Sequence, residues 1–318
     1  MTNTQALTPK VVVLPLDGPP AGLPRGIALS PSRAGDFLSC PLLFRYRAID
    51  RFPEKPSSAA ARGSLVHSVL EDLFELPAAQ RTLDAATELL QPAWEQMVRD
   101  QPTLTFAVAG AGRKASAAIP PEEPADLDNP PQVSAQELAT WIRGAEPLLK
   151  TYFDLEDPQR LEPHARELRI EVQLADGPPL RGIVDRVDIA PGDLMRVVDY
   201  KTGRSPGEGF EQRAMFQMRF YALMLWRLHG SIPKRLQLMY LGDAQILHYD
   251  PSQDELVAFE RTLRALWDAI TSVAESGDWQ PRPSRMCNWC DHHDKCPTKG
   301  GTIPNLPTDL TLTTKPVT

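Results

Sequence analysis

The stretch Arg181-Gly182-Ile183-Val184-Asp185 is followed, fourteen positions after its aspartate, by Asp199-Tyr200-Lys201. Side chains alternate along a strand, so Asp199 and Lys201 project from one face and Tyr200 from the other. Pro191-Gly192-Asp193 supplies a turn that folds the two stretches together, so Asp185 can lie close to Asp199. Two carboxylates converging beside a lysine suit a hard divalent cation, with room for bound water and a phosphate. The lysine would orient or deprotonate a water and offset charge on a pentavalent phosphate. An Asp-x-Lys tripeptide alone carries little weight, because a strand pair with solvated acids produces it by chance.

Two helices add polar residues to this pair. Gly63 and His67 stand four apart, with Glu71 one turn further along the same face. Gln217 and Tyr221 repeat the spacing, with Arg213 one turn earlier on a helix that is otherwise apolar on several sides. A polar stripe on such a helix needs a partner, and a phosphate or a base would be one. A lone histidine at position 67 is otherwise an ordinary surface or core residue.

The chain has four cysteines: Cys40 stands alone, and Cys287, Cys290 and Cys296 cluster near the other end. Three thiolates need a fourth ligand, and Cys40 is the only thiol left. Such a set holds either a tetrahedral zinc or a [4Fe–4S] cluster. One cysteine plus three is less typical of zinc, although His292 and His293 keep zinc open.

Elements that would position these residues are visible in the hydrophobic pattern. Residues 1–28 carry Pro15, Pro19, Pro20 and Pro24 and read as a mobile arm. Ser30-Pro31-Ser32 caps a helix towards Cys40, and Val66, Val69, Leu70 and Leu73 make the stripe of a helix over 59–76. Another helix runs to about Asp100, and residues 103–132 lack a consistent period, as an insertion or flexible loop would. Ser134 and Glu137 form a capping-box pattern. Strands are expected over 167–174, 180–189 and 194–201, a helix over 208–229, strands over 236–241 and 246–249, and a last helix over 253–275. The result is a mixed α/β layer with helices covering a small sheet.

The composition sets outer bounds. The chain has 318 residues, 42% hydrophobic and 24% charged, which fits a globular protein rather than a disordered one. Its net charge of −7 is unevenly spread, with six basic against three acidic side chains in residues 33–62, so a basic groove is compatible with it. The apolar run from Val11 to Leu16 is too short to span a bilayer, and no basic segment precedes it. A cytoplasmic protein without membrane contact is the expectation, and there the four cysteines are not expected to be disulfides.

Taken in order, Gly63-x-x-x-His67, Gly182-x-x-Asp185, Asp199-x-Lys201 and Gln217-x-x-x-Tyr221 resemble the RecB-type nuclease module of the PD-(D/E)xK superfamily, over about Leu29 to Cys296. The resemblance implies a restriction-endonuclease-like core, a central mixed sheet flanked by helices. It implies that Asp185 and Asp199 bind Mg²⁺ or Mn²⁺, that Lys201 is the catalytic lysine and that His67 completes the metal site. Gln217 and Tyr221 would contact DNA or buttress the site, with Arg213 beside them, and Glu71, Glu167 or Glu171 could join it. Val184 stands where the superfamily's name has proline.

The split cysteine pattern is similar to that of iron–sulfur nucleases: AddB-type subunits, CRISPR-adaptation RecB-like nucleases and exonuclease V. This implies a [4Fe–4S] cluster that staples a C-terminal segment, 287–296, to the N-terminal helix. The expected domain is then 29–297, with its catalytic core over 160–250 and a disordered tail over 298–318. The implied activity is a deoxyribonuclease, an exonuclease on single-stranded DNA or DNA ends that serves DNA repair. No phosphate loop of the Gly-x-x-x-x-Gly-Lys type is present, so any helicase motor would be a separate partner. The rival readings are a non-cleaving DNA-binding or scaffold subunit of a helicase–nuclease complex and a zinc-stapled RNA-processing nuclease. Phe44, Arg45, Tyr46, Arg47 and Trp289 would either stack bases and grip phosphates, or be core residues and solvated arginines.

Overall fold

A computed structural model describes residues 23, 26–109, 127–207 and 212–307. Ser30 caps the first helix, α1 (Pro31–Ser39): its side chain accepts from the Arg33 amide, and Pro31 supplies the preset φ of the first turn. α2 (Pro41–Phe44) runs into a π-helical turn over Arg45–Asp50. Then come α3 (Ser58–Leu73), α4 (Leu83–Asp100), α5 (Thr105–Ala109), α6 (Ala135–Arg143) and α7 (Glu146–Leu155). The capping box expected at Ser134 and Glu137 starts α6.

The sheet has five strands in the order β1 (Ala165–Gln173), β2 (Pro179–Ala190), β3 (Leu194–Lys201), β4 (Arg235–Tyr240) and β5 (Gln245–Tyr249). The first three form an antiparallel meander; β4 runs parallel to β3, and β5 antiparallel to β4. A parallel neighbour requires a crossover, supplied by α8 (Gln212–His229). α9 (Gln253–Ser276) packs on α8 and ends at Gly277, whose φ of 71° suits a residue without a Cβ.

Each face of the sheet builds its own core. Val197, Leu236 and Leu238 pack with Phe220, Leu223 and Leu263 of α8 and α9. Val198, Tyr200 and Met239 pack on the other side with Leu65, Leu70, Leu90 and Tyr152 of α3, α4 and α7. Residues 197–200 of β3 are buried in an unbroken run, as expected of a strand covered by helices on both faces, the mixed α/β architecture with a central sheet expected above.

Three expectations change. The arm over 1–28 does not end loose, since Leu23, Ile27 and Ala28 are buried. The stretch 103–132 opens with a helix, α5, that buries Ala107 and Val108; its residues 110–126 lie outside the described residues. The tail from 298 is held at its start, where Ile303 and Leu306 pack on the core and Arg45 donates to the Pro304 carbonyl. In each case apolar residues sparse in the sequence find a groove only in the folded chain. The expected start of α8 at Glu208 also falls outside the described residues.

Candidate active site

The site lies where the sheet ladder is interrupted. β2 pairs with β3 as far as Arg186↔Val198, and the next step of that register sets Asp185 opposite Asp199. β1 pairs with β2 at Arg166↔Arg186 and at Leu168↔Val184, so Glu167 stands opposite Asp185 between them. Glu167 has φ of 41°, the left-handed region that a glutamate adopts at a cost of about 1–3 kcal/mol. Three carboxylates on three adjacent strands therefore converge at positions where the backbone ladder opens.

Asp185 takes up one of the backbone groups released there: the Tyr200 amide donates to its Oδ2 at 2.7 Å. The Tyr200 carbonyl is 2.9 Å from His67 Nε2, and a carbonyl only accepts, so Nε2 carries the proton. The same ring orientation turns Nδ1 towards Asp185 Oδ2, 3.5 Å away. His67 comes from α3, whose approach to the end of β3 is allowed by Gly63: a Cβ there would meet Thr202 Oγ1 at 3.2 Å. Ligand atoms of His67, Glu167 and Asp185 all lie within 4.8 Å of one another.

Asp199 stands beside this group and outside it. Lys201 Nζ is 2.6 Å from its Oδ2, as expected of residues two apart on β3 that share a face. Gln217 links the rest: its Oε1 accepts from Lys201 Nζ at 2.8 Å, and its Nε2 donates to Asp199 Oδ1 and to the Tyr221 hydroxyl, both at 3.0 Å. Tyr221 lies flat on β2 because position 182 is glycine; a Cβ there would come within 2.9 Å of the ring.

Crowding of charge shifts the titration of the group. Burial, then the nearby Asp185 carboxylate, push Asp199 up to about 6 against the pull of Lys201. The same two causes push Glu167 up to about 7. Burial opposes charge on His67, but its contact with Asp185 and the charges of Asp185, Asp199 and Glu167 outweigh it and raise the ring to about 9. A charged imidazolium among carboxylates occupies the electrostatic position of a cation.

The profile of the PD-(D/E)XK nuclease superfamily matches residues 28–297. This chain belongs to that superfamily. Its relatives include the Gene 69 protein of Mycobacterium phage D29, 23% identical over 287 residues, which cover 84% of this chain and 96% of that protein. The Gene 69 protein of Mycobacterium phage L5 is 31% identical over 136 residues, 42% of this chain and 44% of that one. A crystal structure of a candidate exonuclease from Eubacterium rectale shares the fold with a TM-score of 0.51 at 13% identity, covering 83% of this chain and 87% of that one. PD-(D/E)XK nucleases use divalent metals, and a set of one imidazole and two carboxylates has donor chemistry that fits such an ion.

In this nuclease the expected site residues His67, Asp185, Asp199, Lys201, Gln217 and Tyr221 are brought together, and Glu167 joins them. Glu171 does not: it pairs with Arg181 on the surface at 2.7 Å. Glu71 lies outside the tight group too, its charge acting on Glu167 from a distance. Arg213 is exposed, and its guanidinium reaches Ser39 at 3.4 Å in a neighbouring cleft. No signal in the chain singled out Glu167 from Glu171, because the choice rests on the register of β1 and the turned backbone at 167.

The four cysteines line one cavity of about 60 Å³ between α1, α2 and the C-terminal segment. The Arg282 amide donates to Cys40 Sγ at 3.4 Å and the Ser284 amide to Cys287 Sγ at 3.3 Å. Their sulphurs are nevertheless not gathered as metal ligands: among the described residues no three come within 4.8 Å of one another. The four thiols thus lack the arrangement of a filled [4Fe–4S] or zinc site. His292 is no ligand either; its ring bonds Glu54 at 2.9 Å. The segment is joined to the N-terminal helices by ordinary contacts, including Tyr46 donating to the Lys295 carbonyl at 2.6 Å and Trp279 stacked on Phe44. Of the aromatic and basic residues considered for strand binding, Phe44 and Tyr46 are core, Arg45 is buried against Asp50, and Arg47 is paired with Asp36 and Glu54. Trp289 is the one aromatic residue of this set that is exposed.

Proposed function

We propose that the chain is a Mg²⁺- or Mn²⁺-dependent deoxyribonuclease that hydrolyses phosphodiesters of single-stranded DNA or DNA ends, acting as an exonuclease in DNA repair. The observation that carries this is the convergence of Glu167, Asp185, Asp199, Lys201 and His67 at the opening of the ladder. His67, Glu167 and Asp185 would hold the ion, with Asp199 beside them. Bound there, the ion supplies positive charge to the phosphate and acidifies a water. Lys201 presents its ammonium to the attacking water or to a phosphate oxygen, and Gln217 fixes the direction of that group. Asp199 holds the lysine's ammonium in position through their 2.6 Å contact. Tyr200 carries no chemistry, but its amide and carbonyl hold Asp185 and His67 in place.

Cleavage is expected to need no ATP, because no phosphate loop of the Gly-x-x-x-x-Gly-Lys type occurs in these 318 residues. Purified protein should shorten an end-labelled strand with Mn²⁺, stop on chelation, and leave the strand intact as Asp185→Asn. Equal cleavage by that variant would overturn the assignment.

A further inference from the structure

A cleft of about 920 Å³ opens beside the carboxylates, and Gln217 and Tyr221 belong to both. Its floor is the edge of β2 at Gly182, its sides are α1 and the start of α8, and its outer wall comes from the cysteine-bearing segment. That wall is apolar yet open to solvent: Trp289 is 66% exposed and Met286 56% exposed. Leu38 and Ile183, also exposed, continue the apolar surface. Flat, exposed aromatic and apolar side chains are costly on a monomer's surface unless something covers them.

The charges around the cleft indicate what does. Of the arginines that line it, Arg47 is met by Asp36 and Glu54 and Arg181 by Glu171, while Arg213 has no carboxylate within ion-pair distance among the described residues and reaches only the Ser39 hydroxyl. Arg33 stands close by, its charge disfavoured by burial and then by Arg181 and Arg51, which marks a surplus of positive potential at this end of the molecule. A ligand that is anionic along its length and presents flat apolar faces matches both features, and an unpaired nucleic-acid strand has that chemistry.

We propose that Trp289, with Met286 beside it, is a base-stacking ledge that holds an unpaired strand in this cleft and delivers its backbone past Arg213 to Gln217 and the carboxylates. The ledge rests on the nuclease reading for its purpose, but not for its existence. It gives the enzyme its preference for unpaired strands, because bases stacked in a duplex have no free face to offer. It also gives the cysteine-bearing segment a direct part in substrate binding.

The test is fluorescence anisotropy with a labelled oligothymidylate and an abasic strand of equal length, at fixed salt. The protein carries Asp185→Asn throughout so that the strand survives. Adding Trp289→Ala is expected to weaken oligothymidylate binding about tenfold, and Trp289→Phe to restore most of it. The abasic strand should bind equally well with and without the Trp289→Ala change. Equal oligothymidylate affinity with and without that change overturns the proposal. So does an equal loss on both strands, which would make Trp289 a prop for the segment or the cover for a different partner. Cleavage by the wild-type chain is measured separately: failure to cut, with the stacking signature intact, would remove the nuclease reading and leave the ledge.

Discussion

Gln217 shows how one uncharged side chain can order a charged site. An ammonium only donates and a carboxylate only accepts, so its contacts to Lys201 and Asp199 fix which end of the amide faces each. Gln217→Leu removes both without touching a proposed metal ligand, and should lower kcat about 10–100-fold with the fold intact, as loss of an orienting partner does. Lys201→Ala removes the charge itself and should cost about 10²–10³ in kcat. Steady-state cleavage assays separate the two. The titrating groups give a pH prediction. His67, Glu167 and Asp199 all bind their proton more tightly folded than unfolded, with folded values of about 9, 7 and 6 against ordinary values of 6.5, 4.5 and 3.8. Their contribution to stability is therefore greatest at low pH and is lost as pH rises through that range, from about 4 to 9. A divalent cation replaces those protons, so Mn²⁺ should raise the melting temperature more at pH 8 than at pH 6. A gain that shrinks with rising pH would contradict a cation among these groups.

The elements bring the site together from both layers of the fold, and their fit depends on small residues. α8 can lay Tyr221 on β2 only because position 182 lacks a Cβ. Gly182→Ala should destabilise the protein by about 1–3 kcal/mol and lower activity as α8 shifts from the carboxylates. Denaturant melts read the first and cleavage the second; an unchanged protein would show that the contact is soft. Much of this layer was legible in the sequence. Period-two alternation and turn residues set β1 to β3 within two residues, and the Asp199–Lys201 pairing follows from alternation alone. Glu167 was not legible over Glu171, since both lie on β1 and only register and a positive φ aim one at Asp185. The fate of Arg45 and Tyr46 was equally hidden: their partners, Pro304 and Lys295, lie about 250 residues away in a segment without periodicity.

At the scale of the whole molecule, the segments around α1 and residues 281–299 meet on one flank of the nuclease core. Cys40 at the end of α1 and Cys287, Cys290 and Cys296 in the C-terminal segment share a cavity, and the same segment carries Trp289 into the cleft that leads to Gln217. Attachment of the chain's end and approach of the substrate therefore meet in one short stretch of chain. Among the described residues no helix is long and apolar enough to cross a membrane. Arg47, Arg181 and Arg213 line the cleft while the total charge is −7, so nucleic-acid binding here should be local and salt-dependent. Everything proposed for the site depends on Asp185 belonging to a metal centre that cuts DNA. Cleavage of an end-labelled single strand without ATP, by wild-type and Asp185→Asn proteins, each with Mn²⁺ and with chelator, tests that dependence. Cutting is expected from the wild type with Mn²⁺ alone, with a loss of at least about 10²-fold in the variant. Cutting that survives chelation or the substitution, or a folded wild type that binds the strand and never cuts it, would contradict it.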